Sequence, residues 1–137
     1  GFIQLRRQLR NLGFTIDRQW IDGSFCENIE FLEGRQPGDI DVMSFLSHPT
    51  ENDAAAFGAL VNANIHLFNP IQSKAHFKCD HYAMTADAMS IEQLCYWNAL
   101  FSHRRNGLWK GYLQIGDEGA ASDDILLADL VAAGLAP

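Results

Sequence analysis

Segments with a helical period alternate with segments of extended character along the whole chain, and this alternation constrains the fold more than any other feature. Phe2, Leu5, Leu9 and Leu12 recur at spacings of three and four, which places them on one helix face with the arginines on the other side, and Gly13 fits the position just past the helix end. Residues 14–21 read as extended, and so does the apolar, β-branched run 39–46. Thr50, with Asp53 three residues on, is expected to cap a helix over 54–61. After a loop at Asn69-Pro70, a second extended run is expected over 75–84. Ser90 and Gln93 form a capping box for a helix from 91 to about 103, whose apolar stripe is Leu94, Trp97, Leu100 and Phe101. Asn106-Gly107 turns the chain into a last strand over 110–115, and Ser122 is expected to cap a final helix over 123–133. The order predicts a mixed α/β (α+β) domain, one sheet with helices against it. A single domain is expected over 1–137, with its core at about 14–115 and an acidic C-terminal segment over 117–137.

The balance of charge narrows the partners. The chain has 137 residues and a net charge of −7, which argues against general binding of duplex DNA, because a protein tracking a polyanion needs a basic face. The basic residues cluster as Arg6, Arg7 and Arg10, then Arg104, Arg105 and Lys110, and such clusters suit one triphosphate or a short RNA segment. Three widely spaced cysteines, Cys26, Cys79 and Cys95, argue against a disulfide framework. Each is expected to be a small buried side chain, and a reducing, cytoplasmic setting is expected. No apolar run is long enough for a membrane span.

Asp39 and Asp41 lie two apart at the start of a strand, so both point to one face while Ile40 and Val42 point to the other. Side-by-side carboxylates repel each other, and a hard divalent cation resolves the repulsion. Taken alone, the pair is also what a solvated strand end can look like. Gly23-Ser24, at the end of the preceding extended run, would let a phosphate approach the backbone. It is equally what an ordinary turn contains.

Together the motifs say more. Trp20-Ile21-Asp22-Gly23-Ser24-Phe25, followed by Pro37-Gly38-Asp39-Ile40-Asp41-Val42, resembles the signature of the polymerase β-like nucleotidyltransferase superfamily: a Gly-Ser ending one strand and an Asp-x-Asp opening the next, here fifteen positions apart. With Arg104-Arg105-Asn106-Gly107 and Lys110-Gly111, the chain resembles a small bacterial branch of minimal nucleotidyltransferase-like proteins, over about residues 14–115. The resemblance implies a nucleotidyltransferase-like mixed sheet and transfer of a nucleoside monophosphate from an NTP to an acceptor hydroxyl. Two Mg²⁺ (or Mn²⁺) ions would be held by Asp39, Asp41 and a third carboxylate on a later strand. Gly23 and Ser24 would bind phosphates, and Arg104, Arg105 and Lys110 would neutralise triphosphate charge. Asp80 is the expected third carboxylate, because alternation puts His76, Lys78, Asp80 and Tyr82 on one strand face and Phe77, Cys79 and His81 on the other. Asp87 is the fallback.

Other readings of these residues are weaker. His76, Cys79 and His81 could mark zinc, but His76 falls on the opposite face from the other two. His48 and His66 are expected at the surface or in loops, and Asp22 is expected to organise its turn. Tyr96, Trp97, Phe101 and Trp109 are expected in the core rather than stacked on a base. The acceptor could be a small molecule, an RNA end or a protein, and the small size of the chain points to a homodimer or a helical protein partner. The alternative function is a non-catalytic or antitoxin-like module that keeps the fold and acts by binding a nucleotide or a partner.

Overall fold

The computed structural model describes residues 1–117 and 120–134. Of the acidic segment over 117–137, residues 118, 119 and 135–137 therefore lie outside the described residues. The fold is mixed α+β. Its elements in chain order are α1 (Phe2–Asn11), β1 (Thr15–Asp22), α2 (Ile29–Glu33), β2 (Ile40–Ser47), α3 (Ala54–Ala63), α4 (Ile65–Phe68), α5 (Pro70–Phe77), β3 (Cys79–Thr85), α6 (Ile91–Phe101), β4 (Leu113–Gly116) and α7 (Ala120–Ala132). The strands form one sheet in the order β3-β2-β1-β4. β1 is antiparallel to β2 and β4, and β2 is parallel to β3. A parallel pair needs a crossover, and α3, α4 and α5 supply it.

The two faces of the sheet have different cores. On one, Leu5 and Leu9 of α1 pack with Ile21, Val42, Leu46, Leu67, Phe77 and Cys79. On the other, Trp20, Met43, Phe45 and Phe101 form a second cluster, with Tyr82, Trp97 and Tyr112 against it. Burial of Leu5 and Leu9 confirms the N-terminal helical period. The Ser90–Gln93 capping box is present, yet only Phe101 of the expected α6 stripe is buried, while Leu94 and Leu100 stay exposed. Cys95 is exposed as well, against the expectation of burial.

The expected run over 75–84 is half helix. Asn69 Oδ1 accepts hydrogen bonds from the Ile71 and Gln72 amides, and Pro70 fills the first helical position, so the pair starts a helix instead of a loop. Lys78, at φ 57°, ends α5 in a left-handed turn, and β3 begins only at Cys79. His76 and Lys78 thus leave the strand-face set, while alternation from Cys79 onward holds. Three smaller expectations shift in the same way. Asp53, not Thr50, caps α3 by accepting from the Ala55 and Ala56 amides. Lys110 precedes β4 by three positions. Ser122 lies inside α7 instead of ahead of it.

One polar line crosses the first core. Arg6 Nη1 donates to Gln19 Oε1 (2.5 Å), and Gln19 Nε2 donates to Ser44 Oγ (2.8 Å). Ser44 Oγ lies 2.7 Å from His81 Nε2, and His81 Nδ1 lies 2.5 Å from the Leu67 carbonyl. A carbonyl only accepts, so Nδ1 carries the proton and Nε2 accepts from the Ser44 hydroxyl. Burial lowers the His81 pKa to about 4, which keeps the ring neutral. The N-terminal arginines are not a free cluster. Arg6, fully buried, and Arg10 both pair with Asp117 and Asp123, and Arg7 lies 3.8 Å from Asp124. They dock α7 onto α1.

Candidate metal and phosphate site

The register of the sheet builds the site. Asp22 at the end of β1 stands opposite Asp41 on β2, and Asp41 stands beside Asp80 on β3. Residues in register on neighbouring strands share a face, so three carboxylates line up across the sheet on the side of Trp20, Met43 and Tyr82. Asp39, two before Asp41, joins them. Ligand atoms of Asp39, Asp41 and Asp80 lie within 4.8 Å of one another, the one such group of three or more metal-ligating side chains among the described residues. The strand alternation that singled out Asp80 therefore holds in three dimensions.

Gly23 lies directly against Asp39 and Asp41. Its φ of 101° suits glycine, and a Cβ there would stand 3.1 Å from Asp41 Oδ2 and 3.2 Å from the Asp39 carbonyl. The Gly-Ser turn is thus pressed against the Asp-x-Asp strand. Ser24 follows in a short 3₁₀ turn, Ser24–Cys26, and is partly exposed.

The charges are unevenly matched. Lys74 Nζ on α5 bridges Asp39 and Asp80, at 2.9 Å from Asp80 Oδ2. The Lys74 ammonium holds the Asp39 carboxyl below its usual value, opposed by partial burial. Among the described residues, Asp41 has no such ion-pair partner. Burial, then the charges of Asp39 and Asp80, push its pKa up to about 6. Asp22 is buried, which raises its carboxyl, while Lys110 Nζ at 2.7 Å from Oδ2 works the other way. Among the described residues, Asp22 Oδ1 has no hydrogen-bond partner.

The expected phosphate-binding cations divide into two kinds. Arg104 pairs with Glu27, and Lys110 is shared between Asp22 and Glu27, so both are tied to carboxylates of this chain. Arg105 is exposed, and its charge acts on Asp39. Of the residues weighed for zinc, His76 lies on α5, and Cys79 and His81 are buried with hydrogen bonds to Phe77, Leu67 and Ser44. His48 is partly buried, contacts the Leu12 carbonyl and packs on Phe14, so it is structural. His66 is partly exposed on α4, near Gln8. Trp97 and Phe101 pack inward, but Tyr96 and Trp109 are exposed, against the expectation of core positions. Sequence reasoning missed Lys74, whose position depends on the unexpected helix, and the burial of Asp22.

The donor set fits a hard divalent cation. Three oxygen ligands carry more negative charge than their neighbours neutralise, and Asp41 bears the deficit. Among the described residues, no helix is long and apolar enough to cross a membrane. No curated protein and no solved structure matches the chain. Residues 1–116, from α1 through the end of β4, match the model of a family of unknown function, DUF6932, and the chain belongs to that family.

Proposed function

We propose that this protein is a divalent-metal-dependent nucleotidyltransferase of the polymerase β-like kind, transferring a nucleoside monophosphate from an NTP to an acceptor hydroxyl. The observation that carries the reading is the convergence of Asp80 with Asp39 and Asp41 within 4.8 Å, across a parallel strand pair. In the reaction the acceptor oxygen bonds to the α-phosphorus, the bond from that phosphorus to the bridging oxygen breaks, and pyrophosphate leaves. Mg²⁺ or Mn²⁺ ions, two in the full site, would be held by Asp39, Asp41 and Asp80, where they supply charge neutralisation at the attacking and leaving oxygens. Asp80 takes the acceptor proton on a carboxylate oxygen. Gly23, whose missing side chain lets a phosphate approach the backbone, and Ser24, through its hydroxyl, hold the outer phosphates. Arg105 adds positive charge on the open side, while Arg104 and Lys110 brace the turn that carries them. Rate enhancement then comes from positioning and fixed charge.

A second reading, a binding module with the same fold, draws support from the exposed Leu108 and Trp109 between Arg104 and Lys110. The two readings separate in one experiment. The purified chain is incubated with Mg²⁺, cell extract and each of the four α-³²P-labelled NTPs, beside an Asp39→Asn/Asp41→Asn variant. Transfer of label by the parent and not by the variant is the expected result. No transfer with any NTP, or equal transfer by the variant, would sink the enzyme.

A further inference from the structure

The segment that carries Lys74 is fixed to the strand that carries Asp80. Ser73 is fully buried, and its hydroxyl donates to the Cys79 carbonyl (2.9 Å) and accepts from the His81 amide (3.1 Å). The backbone on both sides of Asp80 is therefore clamped to the residue next to Lys74. The Lys74 side chain, by contrast, is half exposed, and among the described residues no other carboxylate holds it. A fixed root and a free, four-carbon stem describe a cation that can leave its partners without disturbing the fold.

Its position is also particular. The ammonium sits between Asp39 and Asp80, two of the three oxygen donors that face one another. It does not pair with Asp41, so the single charge covers part of the site and does not satisfy it. The Lys74 end of these pairs is open to water, which weakens its hold, and a compact ion of charge two that reaches all three carboxylates outcompetes one ammonium that reaches two.

We propose that Lys74 is an internal counter-ion of the carboxylate site: its ammonium closes the Asp39–Asp80 pair when no divalent ion is bound, is displaced when one enters, and then faces the triphosphate. The inference rests on the function proposed above and adds a regulatory consequence. Divalent ions bind weakly alone and more tightly with nucleotide, because the phosphates give the released ammonium a new partner.

Mn²⁺ binding, followed by electron paramagnetic resonance without nucleotide, tests this directly on the wild type, Lys74→Met and Lys74→Arg. Lys74→Met should bind Mn²⁺ about tenfold more tightly, an effect of the size expected from removing one competing charge, while Lys74→Arg stays near the wild type. Adding each α,β-methylene nucleoside triphosphate should then tighten Mn²⁺ binding to the wild type more than to Lys74→Met. Equal or weaker Mn²⁺ affinity in Lys74→Met overturns the role of Lys74 and leaves the carboxylate site standing. A Lys74→Arg variant that matches Lys74→Met removes the charge argument. Absence of Mn²⁺ binding in all three proteins overturns both this inference and the metal-dependent function.

Discussion

Gly23 and Asp41 make the site at the scale of single residues, and each limits the other. Gly23 holds a backbone conformation that other residues adopt only with strain of about 1–3 kcal/mol, and the space for a Cβ is taken by the Asp41 carboxylate. Gly23→Ala should therefore lower stability by about 2 kcal/mol and weaken Mn²⁺ binding, because Asp41 must move. Urea titration and Mn²⁺ resonance read the two effects, and unchanged values for both would remove the close packing of turn and strand. Asp41 has the opposite balance. Its carboxyl is raised from 3.8 to about 6, so the folded state holds the proton more tightly than the unfolded state. That contribution is complete below 3.8 and is lost as pH rises through 6, which leaves the ionised group unfavourable at pH 7. Asp41→Asn should consequently raise stability in chelator, on the order of 2 kcal/mol, and abolish stabilisation by divalent ions. A variant that is less stable in chelator at pH 7 would show Asp41 to be structural.

The α5–β3 unit decides which polar groups face the site and which face the core. Alternation along β3 sends Asp80 and Tyr82 one way and Cys79 and His81 the other. His81 ends the polar line from Arg6, and its neutral form is the one that fits. Its pKa is lowered from 6.5 to about 4, so the unfolded state binds the proton more readily between these values. The stabilisation is fully present above pH 6.5 and is lost as pH falls through 4, amounting to about 3 kcal/mol. Proton–nitrogen correlation spectra should show a His81 ring that stays neutral down to pH 5, with Nδ1 protonated. A His81 ring that titrates near pH 6.5 would contradict the buried polar line. At the same scale, α7 is attached by charge: Asp117 and Asp123 neutralise a buried Arg6 that the core could not otherwise hold.

At the scale of the molecule, Asp39, Asp41 and Asp80 are each partly exposed. Two surface grooves, of about 650 and 530 Å³, are lined by α1 with α4 and α5, and by α1 with α7, and neither includes Asp39, Asp41 or Asp80. An acceptor is usually enclosed by a concave surface, so the proposed enzyme calls for a second wall. Exposed Ile91, Tyr96 and Leu100 on α6, with Leu108 and Trp109 in the following turn, supply apolar area on the side of the site. Sedimentation velocity of the purified chain should give a dimer, or a monomer that becomes a complex with a helical partner recovered from native extract. A monomer that turns over substrate without a partner would show that the domain encloses its acceptor unaided.

The sequence by itself determined the elements whose signals are local. The spacing of Leu5 and Leu9, the Ser90–Gln93 box and the period-two alternation around Asp41 and Asp80 each depend on neighbours within a few residues, and each holds in the fold. At Asn69-Pro70 the signal is also local, a cap followed by proline at the first helical position, and it starts the helix that carries Lys74 and shortens the strand to Cys79–Thr85. Tertiary structure alone decided the rest. The parallel pairing of β2 with β3 set Asp80 beside Asp41, packing buried Asp22, and α7 took the arginines of α1. These outcomes depend on contacts between residues from about 20 to more than 110 positions apart, and no spacing along the chain encodes them. Charge shows the difference most clearly: Arg6 and Arg105 look alike in the sequence, yet one is sealed in the core against Gln19 and the other stands exposed near Asp39.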